Sequence, residues 1–138
     1  MAENFSFLYS DGTISNLYAI KSPFLLLIFN NPDCSRCQRT ERLISENDTL
    51  QRMIASDQLR VLAITVDGDF ENWREHQYPT NWISGYDNSH AIVDDMLYEI
   101  REYPSIYLLD SNKRVLLKES NYQTLCTHLS ILTNFIPD

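Results

Sequence analysis

The chain of 138 residues has little of several features that define other classes of protein. Its three glycines and five prolines exclude a collagen-like or low-complexity chain. Three cysteines are too few for a small fold that depends on disulfide bonds for its stability. The longest apolar run covers residues 24–29, far short of the ~20 residues that a membrane-spanning helix needs. We therefore expect a globular chain with no membrane span.

Positive charge is also scarce, since 11 Lys and Arg face 19 Asp and Glu and leave a net charge of −8. A surface of this sign repels phosphate backbones, so we expect no nucleic-acid partner. The beginning of the chain, MAENFSFLYSDG, lacks the charged and apolar blocks of a signal peptide. The chain is interpreted either as cytoplasmic or as the mature part of a protein whose leader was removed and replaced by a start codon.

Apolar residues make up 43% of the chain, which is enough to build a core without disulfide bonds. No repeat, linker or charge run divides the chain, so we predict one domain over residues 1–138. The hydrophobic patterns predict the order β-hairpin, β, α, β, α, α, β, β, α. Strand–helix–strand units imply parallel pairing, so we expect an α/β sheet with helices on both faces and an antiparallel hairpin at one edge.

Two local patterns mark turns. Asp11-Gly12 between apolar segments predicts an N-terminal hairpin over residues 5–20, and Asn47-Asp48 predicts a break in a first helix over residues 34–54. The remaining strands are predicted at 24–29, 59–66 and 105–109, with a hairpin partner for the last at 114–118. A short helix is predicted at 70–77, an irregular segment at 80–90, and a helix at 91–100 with Ile92, Met96 and Ile100 on one face. The closing helix is predicted at 122–135, with a buried stripe of Leu125, Leu129, Leu132 and Ile136.

Two of the three cysteines, Cys34 and Cys37, form a C-x-x-C pair in the stretch NNPDCSRCQRT, between a buried strand and the start of a helix. The free N–H groups and the dipole of a helix N-terminus stabilise negative charge, so they favour the thiolate form of the first thiol. The second thiol lies one turn further along, within reach of a disulfide bond. The pattern predicts that Cys34 attacks a disulfide and that Cys37 resolves the mixed disulfide. Arg36 would favour thiolate further if it pointed inward, but a solvent-exposed side chain is the expected arrangement.

Other uses of the cysteine pair stay open at this point. A structural zinc site usually needs four Cys or His ligands, and beyond the pair the chain offers Cys126, His76, His90 and His128 without a second motif. We therefore expect no metal. Cys126 is interpreted as a buried thiol beside the apolar stripe of the last helix. The pair could also be two inert core thiols, although Asp33 and the nearby prolines indicate an exposed helix start.

The stretch REYPSIYLLD places Pro104 directly before an apolar strand, and together with the thiol pair after a buried strand it resembles the thioredoxin superfamily. In that family a cis-proline precedes the third core strand and faces the thiols, and the residue before it, here Tyr103, lines the substrate groove through its backbone. Residues 11–37, DGTISNLYAIKSPFLLLIFNNPDCSRC, are similar to the start of the TlpA/ResA-like bacterial thiol–disulfide oxidoreductases. The resemblance covers about residues 5–136 and implies a thioredoxin-like fold, a central mixed sheet flanked by helices, with an N-terminal β-hairpin and an insertion before the cis-proline strand.

The resemblance implies a protein-disulfide oxidoreductase that exchanges a Cys34–Cys37 disulfide with protein substrates in the reductive direction. It further implies an electron-donor protein as a partner, no cofactor beyond the redox-active disulfide, and a periplasmic or envelope location with the signal or anchor upstream of Met1. The alternatives are a binding module of the same fold with little redox turnover, a metal-handling protein, and a cytoplasmic location.

Three departures from the family pattern are expected to modulate the thiol pair. Asp33 stands where the family usually has tryptophan, and its charge opposes thiolate unless the carboxylate caps the helix, as we expect. Arg36 stands where proline is usual. Ile28 occupies the position of a buried aspartate that takes up protons in many thioredoxins. Glu41, one turn past Cys37, could substitute for that aspartate, although an exposed Glu41 is the expected arrangement.

Overall fold

The computed structural model describes residues 1–132, with the side chains of residues 1–130, and shows a seven-stranded sheet flanked by helices. No helix within this part of the chain is long and apolar enough to cross a membrane. The strands are β1 (Ser6–Leu8), β2 (Ile14–Asn16), β3 (Phe24–Asn30), β4 (Leu59–Thr65), β5 (Trp82–Tyr86), β6 (Ser105–Asp110) and β7 (Val115–Ser120). The helices are α1 (Ser35–Ser45), α2 (Asp48–Ala55), α3 (Phe70–Glu75), α4 (Ala91–Asp94) and α5 (Tyr122–Leu132), with a 3₁₀ turn at Leu17–Ala19.

The strands lie in the order β2-β1-β5-β4-β3-β6-β7. β3 pairs in parallel with β4, and β4 with β5, whereas the other neighbours are antiparallel. The predicted mixed α/β sheet, with a hairpin at the N-terminus and another after β6, is confirmed. Parallel pairing brings the carboxyl ends of β3 and β4 to one edge of the sheet, which is where α/β sheets usually bind their ligands.

The two faces of the sheet bury two separate apolar clusters, and β3 contributes to both. Leu25, Leu27 and Phe29 pack into the first cluster with the N-terminal segment and the residues around α4. Leu26 and Ile28 pack into the second, under α1, α2 and α5. The alternation follows the two-residue period of strand side chains, and a continuous apolar run is what a strand buried on both faces requires.

Two predicted turns are confirmed. Gly12 has a φ of +86° at the tip of the hairpin between β1 and β2, a conformation that glycine adopts without strain. The first helix breaks at Asn47, whose side-chain oxygen accepts a hydrogen bond from the Leu50 N–H at 2.9 Å and caps α2.

The closing helix α5 begins at Tyr122, as predicted, and both Leu125 and Leu129 are buried in the second cluster. The predicted end of this helix and the stripe positions Leu132 and Ile136 lie outside the side chains that the structure describes.

The segment predicted to be irregular contains the strand β5, so that prediction is wrong. Its sequence, WISGY, includes a glycine, which usually weakens a strand. A Cβ atom on Gly85 would collide with the ring of Phe7 on β1 and lie 2.9 Å from Cδ1 of Ile64 on β4. Close packing against these neighbours therefore requires glycine at this point of the strand.

The helix predicted over residues 91–100 is wrong beyond Asp94, because α4 covers only its first turn. Met96, which was predicted on one helix face with Ile92 and Ile100, has a φ of +49° and is 85% exposed. Asp94 and Asp95 stand at the C-terminal end of α4, where the helix dipole disfavours negative charge. These carboxylates oppose extension of the helix despite its apolar spacing.

Candidate active site

The thiol pair lies where β3 ends and α1 begins, at the carboxyl edge of the parallel strands. The turn closes with a 3.0 Å hydrogen bond from the Cys34 N–H to the carbonyl oxygen of Asn31. Cys34 is the N-cap of α1, and its sulfur accepts a hydrogen bond from the Cys37 N–H at 3.2 Å. The Cys34 sulfur thus lies at a helix N-terminus, where free N–H groups stabilise negative charge.

The two thiols differ in accessibility and in protonation. Cys34 is half-buried and Cys37 is only 3% exposed, which confirms the predicted difference. Burial raises the pKa of Cys37 to about 12, and its hydrogen bond to Cys34 adds to the shift, whereas the Asn31 backbone N–H and the charge of Arg36 lower it. A thiol with this pKa is protonated at neutral pH, so Cys37 has to lose a proton before it can attack.

The peptide bond between Tyr103 and Pro104 is cis, as predicted. It directly precedes β6, which pairs with β3 so that Ser105 lies opposite Phe29, next to the thiol turn. The Cys34 sulfur lies 3.8 Å from the carbonyl oxygen of Tyr103. The backbone before the proline therefore faces the more accessible thiol.

An open groove of about 510 Å³ runs between α1, the residues before β6 and the start of α5. We call it the α1–α5 groove, and its walls include Arg36, Leu43, Tyr103, Pro104 and Tyr122. The Arg36 guanidinium lies 3.2 Å from the Glu102 carboxylate, and the two side chains are 68% and 65% exposed. The solvent-exposed arrangement expected for Arg36 is confirmed. An ion pair this exposed contributes little to stability.

The expectation that Asp33 caps α1 is wrong, because Cys34 itself occupies the N-cap position. The Asp33 carboxylate instead accepts a 2.5 Å hydrogen bond from the side-chain amide of Asn72 on α3. Its backbone N–H donates to the side chain of Asn31 at 3.1 Å. Asp33 therefore joins the thiol turn to α3 and turns its charge toward that helix.

Glu41 is not the exposed surface residue that was expected. Its side chain is 13% exposed, and its carboxylate lies 3.1 Å from Nε2 of His76, which directly follows α3. The residues after α3 cover this face of α1 and so remove Glu41 from bulk solvent. Ile28, by contrast, is apolar and 2% exposed in the second cluster, so the sheet beneath the thiols carries no carboxylate at that position.

The hydroxyl of Tyr78 interacts electrostatically with both Glu41 and Cys37. It stands 3.4 Å from Oδ1 of Asn30 and 3.4 Å from Oγ1 of Thr65, at the ends of β3 and β4. Burial raises the pKa of Tyr78 to about 12, and the negative charges of the Glu41 carboxylate and the Cys37 thiolate raise it further. Tyr78 is therefore the group that links the buried thiol electrostatically to Glu41.

Sequence reasoning missed His76 and Tyr78 as members of this site. His76 is separated from Glu41 by 35 positions in the chain, and no spacing rule links the two. The available signal was weak: a histidine and a tyrosine follow a short helix within the segment interpreted as an insertion.

Cys126 is half-buried, not the buried core thiol that was expected. Its sulfur lies 3.8 Å from the Asn47 side-chain amide, which also donates a hydrogen bond to the Tyr122 hydroxyl at 3.0 Å. All three cysteines are free thiols. Among the residues that the structure describes, no group of three or more His, Cys, Asp or Glu is placed to hold a metal ion.

Residues 23–115 match the sequence model of a family described as thioredoxin-like. The chain belongs to the thioredoxin-like family. The matched residues run from the start of β3 to the start of β7 and include both thiols of the pair and Pro104. The predicted membership of the thioredoxin superfamily is confirmed. None of the curated protein sequences compared with this chain matches it.

Solved structures from Bacteroides species share the fold of the thioredoxin-like chain. Protein BF1870 of Bacteroides fragilis, of unknown function, is 36% identical with a TM-score of 0.88 over 93% of this chain and 95% of that chain. A thioredoxin-like protein of Bacteroides caccae is 34% identical with a TM-score of 0.89 over 94% of this chain and 48% of that chain. The thioredoxin domain of the thiol-disulfide oxidoreductase BVU-2223 of Bacteroides vulgatus is 18% identical with a TM-score of 0.78 over 95% and 94%. At 18% identity the likeness concerns the fold alone.

Proposed function

We propose that the chain is a thiol–disulfide oxidoreductase that exchanges the Cys34–Cys37 pair between dithiol and disulfide. One observation carries the proposal: an accessible thiol at a helix N-terminus faces the carbonyl of Tyr103 before cis-Pro104, with a second, buried thiol hydrogen-bonded behind it. A structural relative of the same fold is named a thiol-disulfide oxidoreductase, which supports a redox role.

The exchange takes place in two steps. The Cys34 thiolate attacks one sulfur of a client disulfide, a Cys34–client disulfide forms, and the other client sulfur leaves and takes a proton from water. Cys37 then loses its proton and attacks the Cys34 sulfur, so that the Cys34–Cys37 disulfide forms and the second client thiol leaves. Two electrons pass from the pair to the client. A reduced dithiol partner protein restores the pair by the same steps in reverse.

We propose protein disulfides as the substrates, because the α1–α5 groove beside the thiols is open rather than enclosed. In the proposed role the backbone of a client lies along Tyr103 and Pro104, and the pair needs no cofactor other than its own disulfide. The direction is proposed to be reductive. Its test is equilibration with glutathione redox buffers, where a midpoint near the ~−270 mV of thioredoxin is expected and a midpoint above about −180 mV would exclude the reductive role.

The place of action is proposed from the resemblance to TlpA/ResA-like proteins alone. Those proteins work outside the cytoplasm and receive electrons from a membrane partner, so we propose the periplasm or cell envelope. Immunoblotting of fractionated source cells with an envelope marker tests this, and recovery in the cytoplasmic fraction would support the alternative.

Reduction of insulin by dithiothreitol tests the activity. Cys34→Ser is expected to abolish the catalysed reduction, because the attacking thiolate is lost. Cys37→Ser is expected to accumulate mixed disulfides with protein clients, since attack survives and resolution does not. Cys126→Ser is the matched control and should reduce insulin as the unaltered protein does. An unaltered protein without turnover, whose thiols react sluggishly, would instead indicate a binding module, and stoichiometric zinc after purification would indicate metal handling.

A further inference from the structure

The buried thiol poses a chemical problem that Cys34 does not have. Resolution requires the Cys37 thiolate, but burial holds the pKa of this thiol at about 12. A proton acceptor has to stand near the sulfur for resolution to be fast at neutral pH. The position of the buried aspartate of many thioredoxins is Ile28, which is enclosed in an apolar cluster. The acceptor has to come from another element.

Two groups on the buried side of α1 are candidates for this acceptor or for a relay to it. Glu41 lies one helical turn after Cys37 on α1, with a side chain that is 13% exposed. Tyr78 lies in the loop after α3, and the charges of the Glu41 carboxylate and the Cys37 thiolate both raise its pKa. Its two hydrogen bonds, to Asn30 and Thr65, are both long at 3.4 Å, so its hydroxyl is only loosely held by them.

His76 connects this buried group to solvent. Its Nε2 lies 3.1 Å and 3.3 Å from the two oxygens of Glu41, and its ring packs edge-on against Tyr78 with centroids 4.5 Å apart. His76 also lines an open cavity of about 400 Å³ together with Tyr78, Trp73 and Arg74. One imidazole thus holds the carboxylate on one side and borders an open cavity on the other.

We propose that the Glu41–His76 pair takes up the proton of Cys37 when this thiol resolves the mixed disulfide. In this proposal the Tyr78 hydroxyl relays the proton between the Cys37 sulfur and the Glu41 carboxylate. His76 is a positioning residue, which fixes the carboxylate and returns the proton to the cavity after each turnover. This inference rests on the proposed redox function and adds the group that sets the rate of its second step.

The titratable and charged groups around His76 define what a pH profile reports. Glu41 faces it from α1, Arg74 from α3 and Tyr9 after β1 share its cavity, and Tyr78 comes from the loop that follows α3. The groups that β3 and β4 contribute, Asn30 and Thr65, do not titrate. If a substitution at His76 shifts the midpoint of the pH profile of the resolution rate, the shift therefore reports on the Glu41–His76 pair.

The reaction with an aromatic disulfide reagent, dithiobis-nitrobenzoate, separates the two steps in one experiment. A Cys126→Ala background leaves only the pair. Attack by Cys34 releases one coloured thiolate at a rate proportional to the reagent concentration. Resolution by Cys37 releases the second at a rate independent of it. The leaving aromatic thiolate needs no proton, so the second phase reports deprotonation of Cys37 and its attack.

Glu41→Gln is expected to slow the second phase about a hundredfold at pH 7, at the low end of the range of general base catalysis. His76→Gln is expected to slow it about tenfold, because the carboxylate stays but is no longer held in place. Tyr78→Phe is expected to slow it severalfold. The first phase should be unchanged in all three, which also shows that the start of α1 is intact. His90→Gln and Glu46→Gln, the same changes at exposed positions, are the matched controls and should leave both phases unchanged.

The pH profile of the second phase separates a proton role from a structural one. His76→Gln is expected to move its midpoint, whereas a merely structural change would scale the whole profile and leave the midpoint in place. In the Cys126→Ala background with no further change, the second phase, but not the first, should be slower in D₂O, a measurement that leaves every group on the buried side intact. An unchanged second phase in Glu41→Gln and His76→Gln, an unmoved midpoint, or equal rates in D₂O would overturn the inference. Absence of any second release from the Cys126→Ala protein would instead overturn the proposed redox function.

Discussion

The two thiols of the pair have different chemical surroundings, which we call the groove side, around Cys34, and the buried side, around Cys37. On the groove side, Cys34 is half-buried and faces a backbone carbonyl, and the nearby ion pair of Arg36 and Glu102 is exposed to solvent. On the buried side, Cys37 is 3% exposed above the half-buried cluster that contains Glu41 and Tyr78. A backbone carbonyl and an exposed ion pair lie beside the first sulfur, whereas the second lies on the side of the half-buried titratable groups.

The difference matches the demands of the two proposed steps. Attack on a client needs access and a stabilised thiolate, which the N-terminus of α1 supplies at Cys34. Resolution needs no access, because its target is the neighbouring sulfur, but it needs a proton to be removed from a desolvated thiol. Substitutions of the groups around each thiol, as distinct from the thiols themselves, should therefore have large and specific effects on the buried side, and small, salt-sensitive effects on the groove side.

The largest expected difference is between the alkylation rates of the two thiols at neutral pH. With a pKa of about 12, Cys37 has roughly a thousandfold less thiolate than an ordinary cysteine, and burial slows its reaction further. Pulsed iodoacetamide labelling followed by peptide mass spectrometry measures both sites. Labelling of Cys37 should rise about tenfold for each pH unit until its pKa is approached. Faster labelling of Cys37 than of Cys34 at neutral pH would reverse the assignment of the two sides.

Ile28→Asp is expected to cause the next largest effect. It restores the carboxylate of many thioredoxins, but here it would place an unpaired charge among Leu26, Val61 and Leu108 in the second cluster. We expect a loss of about 3–5 kcal/mol in the free energy of unfolding, measured by urea denaturation. Ile28→Val is the control, at about 1 kcal/mol. A stable Ile28→Asp protein with faster resolution would mean that a carboxylate on β3 can act as the proton acceptor for Cys37.

The parts of this comparison that the sequence predicted are those encoded by neighbouring residues. The C-x-x-C spacing, the proline before β6, the break at Asn47 and the hairpin at Gly12 each depend on a few consecutive positions, and each is found where it was expected. The exposure of Cys34 relative to Cys37 follows equally from their places in the first turn of a helix.

The parts that the sequence did not predict depend on contacts between distant residues. The glycine that obscured β5 is required by the ring of Phe7, and the burial of Glu41 is due to residues after α3 that are 35 positions away. Asp33 does not cap α1 because Asn72 on another helix binds its carboxylate. The apolar spacing of residues 91–100 was genuine, but spacing alone does not show where a helix ends.

Cys126→Ala tests a thiol that belongs to neither side. Because its side chain is half-buried and contacts Asn47 and Tyr122, we expect a loss of about 1 kcal/mol in the free energy of unfolding, at the low end for a buried truncation. Insulin reduction should be unchanged. Urea denaturation and the turbidity assay measure the two quantities. Lost activity at unchanged stability would place Cys126 in the electron relay.

The smallest effect is expected on the groove side, for Arg36→Gln. The substitution removes a 3.2 Å ion pair with Glu102, but both side chains are about two-thirds exposed, and surface pairs of this kind contribute ~0–1 kcal/mol. The Arg36 charge lowers the pKa of Cys37 against the dominant effect of burial, so its loss should slow resolution slightly, by less than about threefold. Because solvent reaches this charge, added salt should shrink the difference further. Arg60→Gln, an exposed arginine on β4, is the matched control. A tenfold loss in resolution that persists at high salt would show that Arg36 acts on the buried side, and the division of the site into two sides would fail.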